Sequence, residues 1–276
     1  RGPVVRPGFP EERRTVMAKR TKAALAIAAH PDDIEFMMAG TLILLGKAGY
    51  ELHYMNVANG SCGTAVHDKD EIVAMRDAEA RKAAAMIGAE FHPPLCDDLE
   101  IYYDRILVAK LAAVVRKVNP EIVLLQSPID YMEDHTNSVR LGVTAAFCRP
   151  MKNFVTDPPV PPVFGDTALY HSMPAGIRGP LREEVPPHFY VDVGSTMKKK
   201  RAMLACHRSQ KEWLDESQGM DSYLITMENF AAEVGRRSGR FKFAEGWRRH
   251  SHLGYAAEAS FDPLAKALAK YVHEAS

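Results

Sequence analysis

A doubly wound α/β fold, with a Rossmann-like, mostly parallel twisted sheet and helices on both faces, is predicted by three features of the 276-residue sequence. Two short apolar runs, Ala23–Ala29 and Glu121–Gln126, the latter with Ile-Val-Leu-Leu at its centre, have the pattern of strands buried on both faces. Strand-like and helix-like segments alternate along the first half of the chain, as a parallel sheet with crossover helices requires. Each of the two apolar runs leads into a cluster of His and Asp, at the carboxyl end of a strand, where such sheets open onto a ligand crevice.

The elements follow in order. After the first strand, Phe36–Ala48 reads as one helix with Met37, Leu42, Leu44 and Leu45 inward. Glu51–Val57 reads as a second strand, followed by the Gly-containing loop Asn59–Thr64. Asp70–Ile87 is an Ala-rich helix stopped by Gly88, and a short strand is expected around Phe91. A helix over Tyr103–Val118 ends at Asn119-Pro120, and another is expected from His135, or just after it, to about Cys148. The Pro-rich stretch 156–162 is incompatible with a helix or a central strand and is read as a loop. Leu169–His171 and Phe189–Val193 read as further strands, and Ser195–His207 and 221–237 as helices. The run Lys198–Arg201 is read as a solvated face. Residues 1–20, polar and Pro-rich, are expected to be a flexible arm or tag, with Met17 a candidate start, and 21–276 a single domain.

Composition excludes several classes. Hydrophobic residues at 46% supply a core, which a disordered chain lacks. Lys+Arg and Asp+Glu are equal at 35 each, so the basic excess of a nucleic-acid binder is absent. No apolar run reaches the roughly 20 residues of a membrane span. Cys62, Cys96, Cys148 and Cys206 form no CxxC pair, which argues against a zinc ribbon or disulfide scaffold and for a reduced, cytoplasmic protein. Homo-oligomerisation is left open.

The chemistry-bearing residues lie in two segments. Ala29-His30-Pro31-Asp32-Asp33 follows the first strand, and Pro31 stiffens the turn so that His30 and Asp33 can aim at one point. Ser127–His135 follows the strand Glu121–Gln126 and brings His135 to the same edge of the sheet. Two imidazoles and a carboxylate suit zinc, and three protein ligands leave the open position of a catalytic site. Asp32 would stand beside the metal without ligating it, and Asp134 or a backbone carbonyl would orient a ligand histidine. The competing reading makes the Asp pair a helix cap and His135 a surface residue.

These segments closely resemble the PIG-L/LmbE-like zinc de-N-acetylases. Gly40-Thr41-Leu42, Gly49, the Gly60–Gly63 loop, Arg76…Glu79…Ala83…Gly88, Asp98-Leu99, Asp134-His135, His207…Ser209-Gln210 and Ala244-Glu245 fall in that family's order, over roughly residues 22–250. The resemblance implies a metal-dependent hydrolase that removes acetyl groups from N-acetylglucosamine-type sugars or conjugates. It implies Zn2+, or another divalent transition metal, on His30, Asp33 and His135, with Asp32 as general base and Arg76 and Asp98 as substrate contacts. There is one departure. Met132 stands where many members carry a histidine that stabilises the oxyanion, and a thioether donates no hydrogen bond. His207 and His171 are the candidate substitutes, and Tyr131 is expected to face the site. Trp213 and Trp247 are read as packing or as sugar-stacking residues. Three alternatives stay open: a non-catalytic member that retains the metal, a member that cleaves another amide, and a nucleotide-binding module using the Gly60–Thr64 loop.

Overall fold

The computed structural model describes residues 22–218 and 223–275, so the expected arm at 1–20 lies outside the described residues. The chain runs β1 (Ala23–Ala28), α1 (Asp33–Met37), α2 (Ala39–Lys47), β2 (Glu51–Asn56), α3 (Lys69–Ala85), β3 (Glu90–His92), α4 (Arg105–Val118), β4 (Ile122–Leu125) and α5 (Glu133–Cys148). It continues through β5 (Ala168–Ser172), β6 (Phe189–Asp192), α6 (Met197–Leu204), α7 (Arg208–Gln218), α8 (Tyr223–Arg237), β7 (Ala244–Arg249), α9 (Pro263–Ala267) and β8 (Val272–Glu274).

The strands form one sheet in the order β3-β2-β1-β4-β5-β7-β6-β8. The first five are mutually parallel, while β7 joins β5 and β6 antiparallel and β8 joins β6 antiparallel. From β1 the chain first winds outward through β2 and β3, then returns to place β4 on the other side of β1. This reversal makes the carboxyl ends of β1 and β4 the topological switch point, where an α/β sheet opens a crevice.

Alternation along β1 and β4 divides the core between the two faces. Ala24, Ala26, Ala28, Ile122 and Leu124 pack with Leu42, Ala84, Leu204 and Met227, from α2, α3, α6 and α8. Leu25, Ile27, Val123 and Leu125 pack with Leu111, Val115, Leu141 and Ala145, from α4 and α5. The small side chains of β1 let helices approach closely on the first face. Gly40 carries this furthest, because a Cβ there would stand 2.6 Å from Val193 Cγ1. Helix α4 is bounded by its sequence, with Asp104 accepting from the Leu107 N–H at 2.8 Å and Asn119 taking the left-handed conformation before Pro120.

Three expectations are corrected. The helix expected over Phe36–Ala48 is broken at Met38, and α2 starts afresh because Glu245 on β7 accepts from Gly40 N at 2.8 Å and Thr41 N at 2.7 Å. A remote carboxylate thus satisfies N–H groups that a new helix start leaves free. Helix α5 begins at Glu133, so His135 sits inside its first turn rather than at its start. The basic run is not wholly solvated, since Lys200 is fully buried and donates to Glu245 Oε1 at 2.6 Å. Trp247 is likewise fully buried and donates from Nε1 to Thr41 Oγ1 at 3.0 Å, which settles it as packing. Among the described residues, no helix is long and apolar enough to cross a membrane.

Candidate active site

The turn after β1 makes the site. Asp32 takes φ 109°, a left-handed conformation uncommon for a residue with a side chain, and Asp33 opens α1. Asp32 occupies the cap position of α1 but makes no side-chain capping bond, contrary to the bland reading of the Asp pair. Asp33 folds back, and its Oδ2 accepts from the His30 backbone N–H at 2.7 Å. Asn56 at the end of β2 donates to the His30 carbonyl at 2.6 Å, and Gln126 at the end of β4 accepts from Ala29 N at 2.8 Å. The two neighbouring strands therefore fix the turn.

His30, Asp33 and His135 converge across 105 residues of sequence, with one ligand atom from each within 4.8 Å of the others. Asp33 bridges the rings, with Oδ2 lying 3.5 Å from His30 Nδ1 and Oδ1 3.5 Å from His135 Nε2. The ring centroids are 5.6 Å apart. Each imidazole turns its second nitrogen to another carboxylate. His30 Nε2 lies 2.9 Å from Asp134 Oδ2, which also accepts from Leu99 N at 2.7 Å. His135 Nδ1 lies 2.9 Å from Asp130 Oδ1. With His30 Nε2 and His135 Nδ1 committed to these carboxylates, His30 Nδ1 and His135 Nε2 are the ring nitrogens turned toward the shared point. Asp130 was not singled out in the sequence, because a place five residues before His135 in the same loop does not say which carboxylate reaches the ring.

The electrostatics favour a positive charge in the cage. Burial opposes charging of His30, but hydrogen bonds to Asp134 and Asp33 outweigh it and push the ring up to about 10. Burial likewise opposes the charge on Asp33, yet the His135 and His30 rings hold its carboxyl well below the usual carboxylate range. A pocket that draws a proton onto its imidazoles this strongly also suits a divalent cation, and the His–Asp–His donor set is one that zinc and its neighbours accept.

Asp32 stands beside the cage in a different environment. Its Oδ2 accepts a hydrogen bond from the buried Tyr223 hydroxyl at the start of α8, and its Oδ1 lies 3.8 Å from Arg76 Nη2. Burial pushes the Asp32 carboxyl up to about 6, against the pull of Arg76 and with the push of the Asp33 charge. Tyr223 carries no local sequence signal, because 191 positions separate it from Asp32.

The other expected site residues are placed as follows. Arg76 on α3 is 2% exposed and donates from Nη2 to the Pro31 carbonyl at 2.6 Å. The Gly60–Gly63 loop wraps its guanidinium, so that a Cβ at Gly60 would stand 2.4 Å from Arg76 Cδ. Both oxygens of Asp98 hold this loop, accepting from Gly60 N at 2.7 Å and Cys62 N at 3.0 Å. These two N–H groups, which a phosphate would need, are thus engaged, which weighs against the nucleotide-binding reading. Tyr131 is 67% exposed, with its ring edge-on to His135 at 5.6 Å. His207 has no exposed surface and lies behind Asp32, with Nε2 3.4 Å from Glu35 Oε2. His171 is tied to the Gln126 carbonyl at 3.1 Å and to His250 at 2.9 Å. Met132 is the residue before α5 and offers no donor from its side chain.

Comparison with known proteins fits this geometry. Residues 25–146 match the family model described as PIG-L, GlcNAc-PI de-N-acetylase. Diacetylchitobiose deacetylase of Thermococcus kodakarensis is 27% identical over 237 residues, spanning 82% of each chain. 4-Oxalmesaconate hydratase of Pseudomonas putida is also 27% identical, over 198 residues that span 69% of this chain and 74% of the hydratase. The solved structure of N,N'-diacetylchitobiose deacetylase from Pyrococcus horikoshii has the same fold, with a TM-score of 0.71, 24% identity and 87% of each chain covered. The His30–Asp33–His135 cluster lies wholly inside the stretch that matches the PIG-L family model, so the similarity to that family covers the site itself.

Proposed function

We propose that this protein is a metal-dependent hydrolase that removes the acetyl group from an N-acetylglucosamine-type sugar or conjugate. The observation that carries the reading is the pairing of a His30–Asp33–His135 cage with Asp32, a neighbouring carboxylate held at a pKa of about 6. Near neutral pH such a group is ionised and basic enough to take a proton. The deacetylase among the 27%-identical relatives supports the choice of substrate class.

A divalent cation, Zn2+ by donor set, would be held by His30 Nδ1, His135 Nε2 and Asp33, and it supplies Lewis acidity toward a water molecule and an amide carbonyl. Asp134 and Asp130 keep both imidazoles aimed at it. Asp32 takes the water proton on Oδ1, because Oδ2 is engaged by the Tyr223 hydroxyl. Tyr223 and Arg76 fix the carboxylate and stabilise its ionised form. Asp32 then returns the proton to the leaving amine, a step that Met132 cannot serve. Tyr131, exposed above His135, offers an aromatic face to the sugar, while Arg76 and Asp98 shape the adjoining loop.

The hydratase relative supports a second reading. Hydration of a double bond uses the same water activation but expels no amine. The proton taken from water goes to the neighbouring carbon instead of to a leaving amine. Acetate release from diacetylchitobiose, N-acetylglucosamine and glycosyl-inositol N-acetyl compounds tests the proposal. Metal-dependent release of one acetate per amine supports it. No release from any of them, with water added to an unsaturated tricarboxylate instead, replaces it with the hydratase reading.

A further inference from the structure

A second group of ligand-type side chains lies away from the carboxyl edge. β2 and β3 run parallel with His53 opposite Glu90 and Met55 opposite His92, so residues 53, 90 and 92 project on one face of the sheet. His53 Nδ1 and His92 Nε2 face each other at 3.0 Å, and Glu90 Oε2 lies 3.7 Å from His53 Nδ1. One ligand atom from each of the three residues lies within 4.8 Å of the others. Both rings are buried, at 8% and 4% exposure, while Glu90 reaches solvent.

Two imidazole nitrogens turned toward one another have two ways to be satisfied. One can donate a proton to the other, or both can donate lone pairs to a cation. Nitrogens bound at about 2.0–2.1 Å in a tetrahedral set stand about 3.3 Å apart, only a few tenths of an ångström wider than here. Glu90 divides its carboxylate suitably, since Oε1 accepts from Lys117 Nζ at 3.0 Å and Oε2 faces His53. Lys117 can therefore remain in place while Oε2 ligates. A His2Glu set with a solvent-facing side is a donor set of zinc sites and accepts cobalt, nickel or copper.

We propose that His53, Glu90 and His92 form a second divalent transition-metal site, separate from the His30–Asp33–His135 cage, that clasps the short edge strand β3 to β2. β3 has three residues and, among the described residues, no strand on its outer edge, so few ladder hydrogen bonds hold it. His53 lies three residues before Asn56, the residue that touches the His30 carbonyl, which places the clasp on the order of 10 Å back along β2 from the carboxyl rim.

The test uses the full chain, stripped by chelator, loaded with Zn2+ or separately Ni2+, desalted and assayed for bound metal by mass spectrometry. The wild type is expected to hold two equivalents. Asp33→Asn/His135→Ala is expected to keep one, and its melting temperature should still rise with Zn2+. Adding His53→Gln/His92→Gln should remove that equivalent and abolish the rise. Glu90→Gln, at an exposed position, tests the site without disturbing the buried rings, and should weaken the second equivalent by at least tenfold. A single equivalent in the wild type that Asp33→Asn/His135→Ala removes would overturn the proposal in favour of a plain His–His hydrogen bond. So would a second equivalent unaffected by Glu90→Gln.

Discussion

Replacing Tyr223 with Phe isolates the environment of the proposed base. The substitution removes one hydroxyl and keeps the ring, which packs against Phe36 at 5.6 Å. Asp32, with a pKa of about 6, is ionised about ten to one at pH 7. Because its folded pKa is raised, the basic form is present above about 6 and is lost as pH falls through that value. The Tyr223 hydroxyl bonds to the ionised form and so holds the pKa down. A hydrogen bond to a charged group is worth about 1.5–3 kcal/mol, and one pKa unit corresponds to about 1.4 kcal/mol. Its loss should therefore move the acid limb of kcat/KM up by roughly one to two units. On the acid side of the limb that lowers kcat/KM by roughly ten- to a hundredfold, and well above the limb most of the loss is restored. A bound cation lowers both limbs and leaves the displacement between them. Acetate release measured across pH 5–9 reads the shift. Coincident limbs, or a loss uniform in pH, would refute the role given to Tyr223 and the assignment of the limb to Asp32.

Other outcomes follow from the same contacts. Asp32→Asn preserves shape, and Asn tolerates the left-handed backbone, so metal content should stay as in the wild type while kcat falls by about 10^2–10^4; turnover within a few-fold of the wild type would remove Asp32 as base. Asp130→Ala frees the His135 ring and should weaken metal binding about 10–100-fold in chelator competition, with secondary structure unchanged by circular dichroism. Lys200→Met leaves Glu245 charged and buried without its partner, which should cost about 3–5 kcal/mol and lower the melting temperature by on the order of 10 °C. A melting temperature unchanged within a degree or two would show that the pair does not hold β7 against α2 and α6.

Legibility in the sequence followed the range of the interactions. His30 and Asp33 were readable because their turn follows a strand whose uninterrupted apolar run marks it as central. His135 was readable because Ile122–Leu125 is a second such strand, and parallel strands open on one edge. The orienting role of Asp134 was among the readings, whereas Asp130 was not, since nothing local says which carboxylate reaches the far side of an imidazole. Tyr223 and Glu245 were invisible as partners of Asp32 and α2, because they arrive from elements near the end of the chain. The break at Met38 was hidden for the same reason, as its cause is a carboxylate 204 positions beyond Thr41. The burial of Lys200 did have a signal: Met197, Lys200 and Leu204 fall at helical spacing on the apolar face, which the charge run concealed. The insertion of β7 between β5 and β6 had none, because strand order is not a local property.

Diffraction from crystals soaked in Zn2+, recorded on both sides of the zinc absorption edge, bears most directly on the cage. The structure predicts an anomalous peak about 2.0–2.2 Å from His30 Nδ1, His135 Nε2 and an Asp33 oxygen. Crystals of full occupancy elsewhere but without a peak between those three residues would contradict it.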